Sequence, residues 1–228
     1  MKTIGLIGGM SWESTVTYYK IINETVKKEL GGLHSSKCIL YSVDFDEIEK
    51  CQSCGDWDRS GDILGQAARS LEKAGADFIV ICTNTMHKVA PRVQSYISIP
   101  LLHIADVTTE CLKSRGIRTV ALLGTRYTME QDFYKERLIQ SGLKVLIPET
   151  PQRELINRVI CPGTMSPEAR SGFLSIIREL AQKGAQGVIL GCTEIGLLIR
   201  QEDTEIPLFD TTVIHARKTA MAAVTGRI

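Results

Sequence analysis

The sequence has almost no net charge with which to attract a partner. Its 228 residues carry 27 Lys and Arg against 26 Asp and Glu, a formal net charge of +1. That balance provides no basic face for nucleic acid and no cationic stripe for an anionic bilayer. Long apolar runs are missing as well, none approaching the roughly 20 residues that span a membrane. The N-terminal Met1-Lys-Thr-Ile-Gly-Leu-Ile-Gly-Gly9 holds one lysine and a short apolar run broken by glycines, too little for a secretory signal. No stretch rich in Pro, Gly or Ser marks a linker, so any two halves should be closely packed. A G-x-x-x-x-G-K-[ST] phosphate loop and a G-x-G-x-x-G dinucleotide fingerprint are both absent. The glycines of Gly5-x-x-Gly8-Gly9 read instead as a tight strand-to-helix turn, where backbone N–H groups and Ser11 can face a small carboxylate.

The seven cysteines are an odd number scattered through strand-like and helix-like segments. That pattern suits free thiols in a reducing cytosol and not a disulfide scaffold, so the expected location is cytoplasmic. Cys51-x-x-Cys54 has no second C-x-x-C or H-x₃-H to complete a zinc site, and reads as structural or incidental. His34, His87, His103 and His215 form no local metal cluster, and no lysine stands in a context that marks a pyridoxal phosphate anchor. No metal or cofactor is therefore expected. His87 and His215 lie near the candidate site described next, as possible supports for its residues.

What the chain does have is alternation of strand and helix. Strands are expected at Thr3–Gly9, Lys37–Phe45, Asp77–Cys82, Ile99–Ile104, Arg118–Leu123, Leu143–Ile147, Gly187–Gly191 and Ile206–Phe209. Helices are expected at Ser14–Leu30, Gly61–Gly75, from Asn84, from Pro91, and at Ala105–Ser114, Glu130–Ser141, Phe173–Lys183 and Thr211–Val224. Such alternation implies parallel sheets covered by helices.

The pattern also repeats. Lys73-Ala-Gly-Ala-Asp-Phe-Ile-Val-Ile-Cys-Thr-Asn-Thr85 lies over Gln182-Lys-Gly-Ala-Gln-Gly-Val-Ile-Leu-Gly-Cys-Thr-Glu194, and Ile99-Pro-Leu-Leu102 is echoed by Ile206-Pro-Leu-Phe209. Registered on the shared Gly-Ala pair, Cys192 falls opposite Thr83; shifted by one residue, it falls opposite Cys82. Free cysteines are often plain buried side chains. Cys192 differs in standing where a buried strand emerges, after Gly191 and before the polar Thr193-Glu194. In parallel sheets that carboxyl end is where ligands bind, and helix-start N–H groups there favour the thiolate.

Gly8-Gly9-Met10-Ser11-Trp12-Glu13-Ser14, Cys82-Thr-Asn-Thr-Met-His87, Gly124-Thr-Arg-Tyr-Thr128 and Gly191-Cys-Thr-Glu194, in this order along nearly the whole chain, resemble the aspartate/glutamate racemase family. The resemblance implies an α/β protein of two pseudo-symmetric αβα domains, each with a mainly parallel sheet of about four strands, and an active site in the cleft between them. The domains would be 1–100 plus 210–228, and 101–209, with the C-terminal helix returning to the first. It also implies a homodimer and racemisation of an amino acid without pyridoxal phosphate or metal. In the family two cysteines face each other across the substrate's α-carbon. Here the position before Asn-Thr-x-His is Thr83, so the chain resembles the threonine/cysteine subgroup that favours L-aspartate and L-glutamate. Thr83 and Cys192 are then the catalytic pair, and Met10, Ser11, Gln52, Asn84, Thr85, Thr125, Thr128, Thr193 and Glu194 the substrate-binding residues. A second departure is Cys161-Pro162-Gly163, where the family continues a helix through a Glu-Leu pair; Pro162 rules out a continuous helix there. Two other readings stay open: another cofactor-free isomerase or decarboxylase of small diacids, and a catalytically weak carboxylate-binding homologue.

Overall fold

The computed structural model describes residues 1–160 and 166–228. The chain divides into two compact units, 1–104 with 215–228, and 105–214.

The first unit is built on β1 (Ile4–Gly8), α1 (Trp12–Leu30), β2 (Cys38–Ser42), α2 (Phe45–Cys54), α3 (Trp57–Lys73), β3 (Phe78–Ile81), a 3₁₀ turn (Thr85–Val89) and α4 (Ala90–Gln94). Its sheet is parallel, in the order β2-β1-β3. Every residue of β1 and β3 is buried, as an unbroken apolar run covered on both faces should be. Each fully buried Ile or Leu of such a strand contributes about 1.5–3 kcal/mol. Ser11 caps α1, its hydroxyl accepting from Ser14 N–H, and Tyr18, Ile22 and Val26 follow at helical spacing as its buried stripe. Gly31, at a φ of 74° that favours glycine, ends the helix with its N–H on the Lys27 carbonyl.

The expected strand at Ile99–Ile104 is reduced to a single bridge, Leu101 beside Ile79, so the first sheet has three strands and not four. Pro100 has no N–H to give a ladder, and the chain turns into α5 (Ile104–Ser114) directly afterwards. Helix α2 was not expected in the polar segment after β2. Its apolar content is sparse, with Ile48 and Cys51 as the buried residues, and Asp44 supplies its cap.

The second unit continues with β4 (Thr119–Gly124), α6 (Arg126–Glu130), α7 (Asp132–Gln140), β5 (Lys144–Leu146), α8 (Thr150–Ile160), α9 (Pro167–Gln182), β6 (Val188–Gly191), α10 (Thr193–Leu198) and β7 (Leu208–Asp210). Its sheet is parallel in the order β5-β4-β6-β7, the same winding as the first sheet with one strand more. Helix α8 was also unexpected, and the helix expected from Phe173 starts earlier, at Pro167 behind a Ser166 cap. The departure at Cys161-Pro162-Gly163 lies outside the described residues. Helix α11 (Thr211–Thr225) begins in the second unit, and from His215 onward belongs to the first. Lys2 N–H donates to the Ala223 carbonyl at 2.9 Å, which ties the helix end to the start of β1.

Candidate active site

The repeat has a definite register in the hydrogen bonds. Asp77 N–H donates to the Thr3 carbonyl at 2.8 Å, as Gln186 N–H does to Thr119 at 2.9 Å. Ile79 N–H donates to the Pro100 carbonyl at 2.9 Å, as Val188 N–H does to Pro207 at 2.9 Å. The two side chains repeat the pattern: Asp77 Oδ2 accepts from Thr3 N–H at 2.6 Å and Gln186 Oε1 from Thr119 N–H at 3.0 Å. Counted on from either pair, Cys82 corresponds to Gly191 and Thr83 to Cys192. Both stand just past the strand paired with β1 or β4: Thr83 two residues after the end of β3, and Cys192 directly after the end of β6.

In the first unit, Thr83 is half-buried and Cys82 is buried, its N–H donating to the Ile7 carbonyl at 2.9 Å. Burial pushes the Cys82 thiol well above the usual range, which disfavours the thiolate. Asn84 and Thr85 are buried beside it. His87, one turn on, is buried and donates from Nδ1 to the Thr83 carbonyl at 2.7 Å. Gln52, on α2, donates to Met86 Sδ at 3.0 Å, which brings α2 to the Thr85 turn. Met10 and Ser11 stand at the end of β1. Gly9, at φ 94°, has no room for a side chain, because a Cβ would run into the Val43 carbonyl. Thr15 fills the space over Gly8 and accepts the Gly9 N–H at 2.9 Å, while its hydroxyl donates to the Ser11 carbonyl at 3.1 Å.

The second unit repeats this turn. Thr125 caps α6, its hydroxyl accepting from Thr128 N–H at 3.3 Å, and Thr128 lies over Gly124 and Gly191. A Cβ on Gly191 would be 2.9 Å from the Leu123 carbonyl and 3.2 Å from Thr128 Cγ2, so glycine lets β6 close against β4 immediately before Cys192. Cys192 is the N-cap residue of α10. Its Sγ donates to Glu194 Oε2 at 2.7 Å. The neighbour of the thiol is thus a carboxylate, whose influence opposes that of helix-start N–H groups by favouring the protonated sulfur. Thr193 opens α10, and Ile195 anchors the helix in the core. Beside Thr125 an open cavity of about 290 Å³ is lined by Arg126, Glu130, Arg153, Glu154, Asn157 and Arg158. Its lining carries both signs of charge, and Arg153 is paired with Glu130 at 2.9 Å.

The candidates therefore fall into two groups, one in each unit: Met10, Ser11, Gln52, Thr83, Asn84 and Thr85; and Thr125, Thr128, Cys192, Thr193 and Glu194. Two participants escaped the sequence reading, and His87, named there as a support, gained a definite partner. Thr15 is an ordinary helix residue by spacing. Asn157, which accepts Arg126 N–H at 2.9 Å, sits on the unexpected α8. The His87–Thr83 bond had one legible signal, the i,i+4 spacing. The described residues contain no group of three or more His, Cys, Asp or Glu arranged to hold a metal.

Two similarly wound parallel α/β units each carry hydroxyl, amide or thiol groups at the carboxyl ends of matched strands, the place where small polar ligands bind in open parallel sheets. Residues 7–219 match the model of the Asp/Glu/Hydantoin racemase family, and the chain belongs to that family. Among curated proteins it is similar to the broad specificity amino-acid racemase RacX of Bacillus subtilis (strain 168), 25% identical over 95% of this chain and 96% of that one. Among solved structures it is similar to a protein of Yersinia pestis assigned to the Asp/Glu racemases, 52% identical, TM-score 0.94, covering 98% of this chain and 100% of that one. An aspartate racemase homologue from Pyrococcus horikoshii OT3 is 37% identical, with a TM-score of 0.86 over 98% of this chain and 100% of that one. The chain is an isomerase of the kind that racemises amino acids.

Proposed function

We propose that the protein interconverts the enantiomers of aspartate or glutamate without a cofactor, with Cys192 as the main acid and base and Thr83 opposite it across the substrate's α-carbon. The observation that carries this reading is the register of the repeat. It pairs Thr83 with Cys192, and it pairs the buried thiol of Cys82 with Gly191, which has no side chain.

The chemistry follows from the groups at hand. Cys192 must first lose its own proton, and the Glu194 carboxylate is the acceptor in reach. The thiolate then takes the Cα proton, leaving a carbanion whose charge spreads into the carboxylate. Fixed donors stabilise that charge; Ser11, Asn84, Thr85, Thr125, Thr128 and Thr193 are the proposed set, with Met10 and Gln52 shaping their side of the pocket. The Thr83 hydroxyl delivers a proton from the other face and regains one from water. Exposed Arg126, next to Thr125, supports an acidic substrate. So does the Pyrococcus horikoshii protein, an aspartate racemase homologue, whereas RacX is named for broad specificity. A homodimer and a cytoplasmic location belong to the same proposal; among the described residues no helix is long and apolar enough to cross a membrane.

The test is a pair of variants assayed for inversion of both amino acids. Cys192→Ala should lose activity by at least about a thousandfold, an estimate set by the size of nucleophile and base knockouts, with its unfolding midpoint near that of the parent. Cys82→Ala should keep most of its activity. An active Cys192→Ala with a dead Cys82→Ala would reverse the assignment.

A further inference from the structure

Three of the four histidines meet inside the first unit. The ring centroids of His87 and His103 are 4.6 Å apart, and those of His87 and His215 are 5.7 Å apart. All three are buried. His103 stands just before the chain leaves the first unit, and His215 is the residue with which it returns. His215 is held on both sides: Tyr18 donates its hydroxyl proton to Nδ1 at 2.8 Å, and Nε2–H donates to the Leu102 carbonyl at 3.0 Å. That ring is a fixed wall for His87.

His87 has a different pattern. A carbonyl can only accept, so the proton of the 2.7 Å contact with Thr83 is on Nδ1. Nε2 is then a lone pair, and it has no hydrogen-bond partner among the described residues. A second proton there would place a cation among buried aromatic rings, and burial accordingly keeps the imidazole neutral. One neutral tautomer, clamped between two rings, thus donates one hydrogen bond to the carbonyl of the residue proposed to face the substrate.

We propose that His87 is a positioning residue for Thr83: its Nδ1–H fixes the Thr83 carbonyl, while His103 and His215 fix the ring. The proposal rests on the racemase reading for its effect on catalysis, and on geometry alone for the bond. Thr83 lies past the last residue of β3 and before the first of the 3₁₀ turn. Proton delivery depends steeply on the placement of the donor, so the effect of losing the bond should fall on turnover and not on binding.

Asparagine and leucine have the same shape, and only asparagine carries an N–H close to the position of Nδ1. His87→Leu should lower kcat for inversion by about tenfold or more and leave KM within about twofold, since the bond acts on a proton donor and not on a binding group. His87→Asn should recover most of that loss. A His87→Leu protein with parental kcat overturns the proposal, as does a folded His87→Asn no better than His87→Leu. Should the leucine variant fail to fold, nitrogen-15 spectra of the unmutated protein decide. At neutral pH they should show His87 protonated on Nδ1, with a coupling across the hydrogen bond to the Thr83 carbonyl. A proton on Nε2 instead, or an imidazolium, overturns it. If the unmutated protein inverts neither amino acid, the racemase reading fails while these spectra still decide the bond.

Discussion

A thiol hydrogen-bonded to a carboxylate keeps its proton more firmly than a free thiol does, because a negative charge beside sulfur disfavours the thiolate. Cys192 donates to Glu194 Oε2 at 2.7 Å. The consequence is measurable without substrate. In Glu194→Gln the pH midpoint for alkylation of Cys192 by iodoacetamide, followed by peptide mapping, should fall by about one unit, the scale of a lost neighbouring charge. An unchanged or higher midpoint would mean that the carboxylate does not hold the thiol proton. Glu194 was legible from the sequence as a polar residue next to the candidate cysteine, and the thiol as its partner was not. Residues two apart at a helix start can face each other or diverge, and backbone angles decide which. Cys82 and Thr83 present the converse case. Adjacent residues leaving a strand point to opposite faces, so the register of the repeat was enough to separate a buried thiol from a half-buried hydroxyl.

At the scale of elements, the long buried strands and the amphipathic helices α1 and α3 could be read from spacing, because burial on both faces or on one stripe leaves a periodic mark, and α11 from its run of alanines. Helices α2 and α8 could not. Each has few buried apolar residues: Ile48 and Cys51 in the one, Ile156 and Ile160 in the other. Helix α11 carries a further consequence through His215. Its imidazole is buried and hydrogen-bonded as the neutral form, and burial lowers its pKa to about 3. An unfolded histidine titrates near pH 6.5. Between those values the unfolded chain binds the extra proton and the folded chain does not, so stability is full above about pH 6.5 and falls as the pH drops toward 3. His215 alone puts the upper limit of that loss at about 5 kcal/mol, and buried His87, also lowered by desolvation, acts in the same direction. Urea midpoints between pH 7 and pH 4 should therefore fall more steeply for the unmutated protein than for His215→Gln, even though the variant starts less stable. Parallel curves would show that the histidine is not responsible.

On the scale of the whole molecule, two units of the same winding carry matched turns, with a threonine in the first where the second has a cysteine. Thiol and hydroxyl differ in acidity far more than in shape. A thiol with a free pKa of about 8.5 exchanges protons readily near neutral pH, and an alcohol does not. Proton abstraction should therefore be efficient from the Cys192 side only, which the subgroup resemblance assigns to the L-enantiomer. The free enantiomers have equal energy, so kcat/KM for inversion must be equal in both directions. One-sidedness can appear only as exchange ahead of inversion. Proton NMR of each enantiomer of aspartate and glutamate with the protein in deuterated water reads this directly. The account predicts that the L-enantiomer loses its α-proton signal faster than the D-enantiomer accumulates, that the D-enantiomer shows no such excess, and that Thr83→Cys raises inversion in both directions. Equal excess exchange from both enantiomers, or no gain from Thr83→Cys, would contradict it.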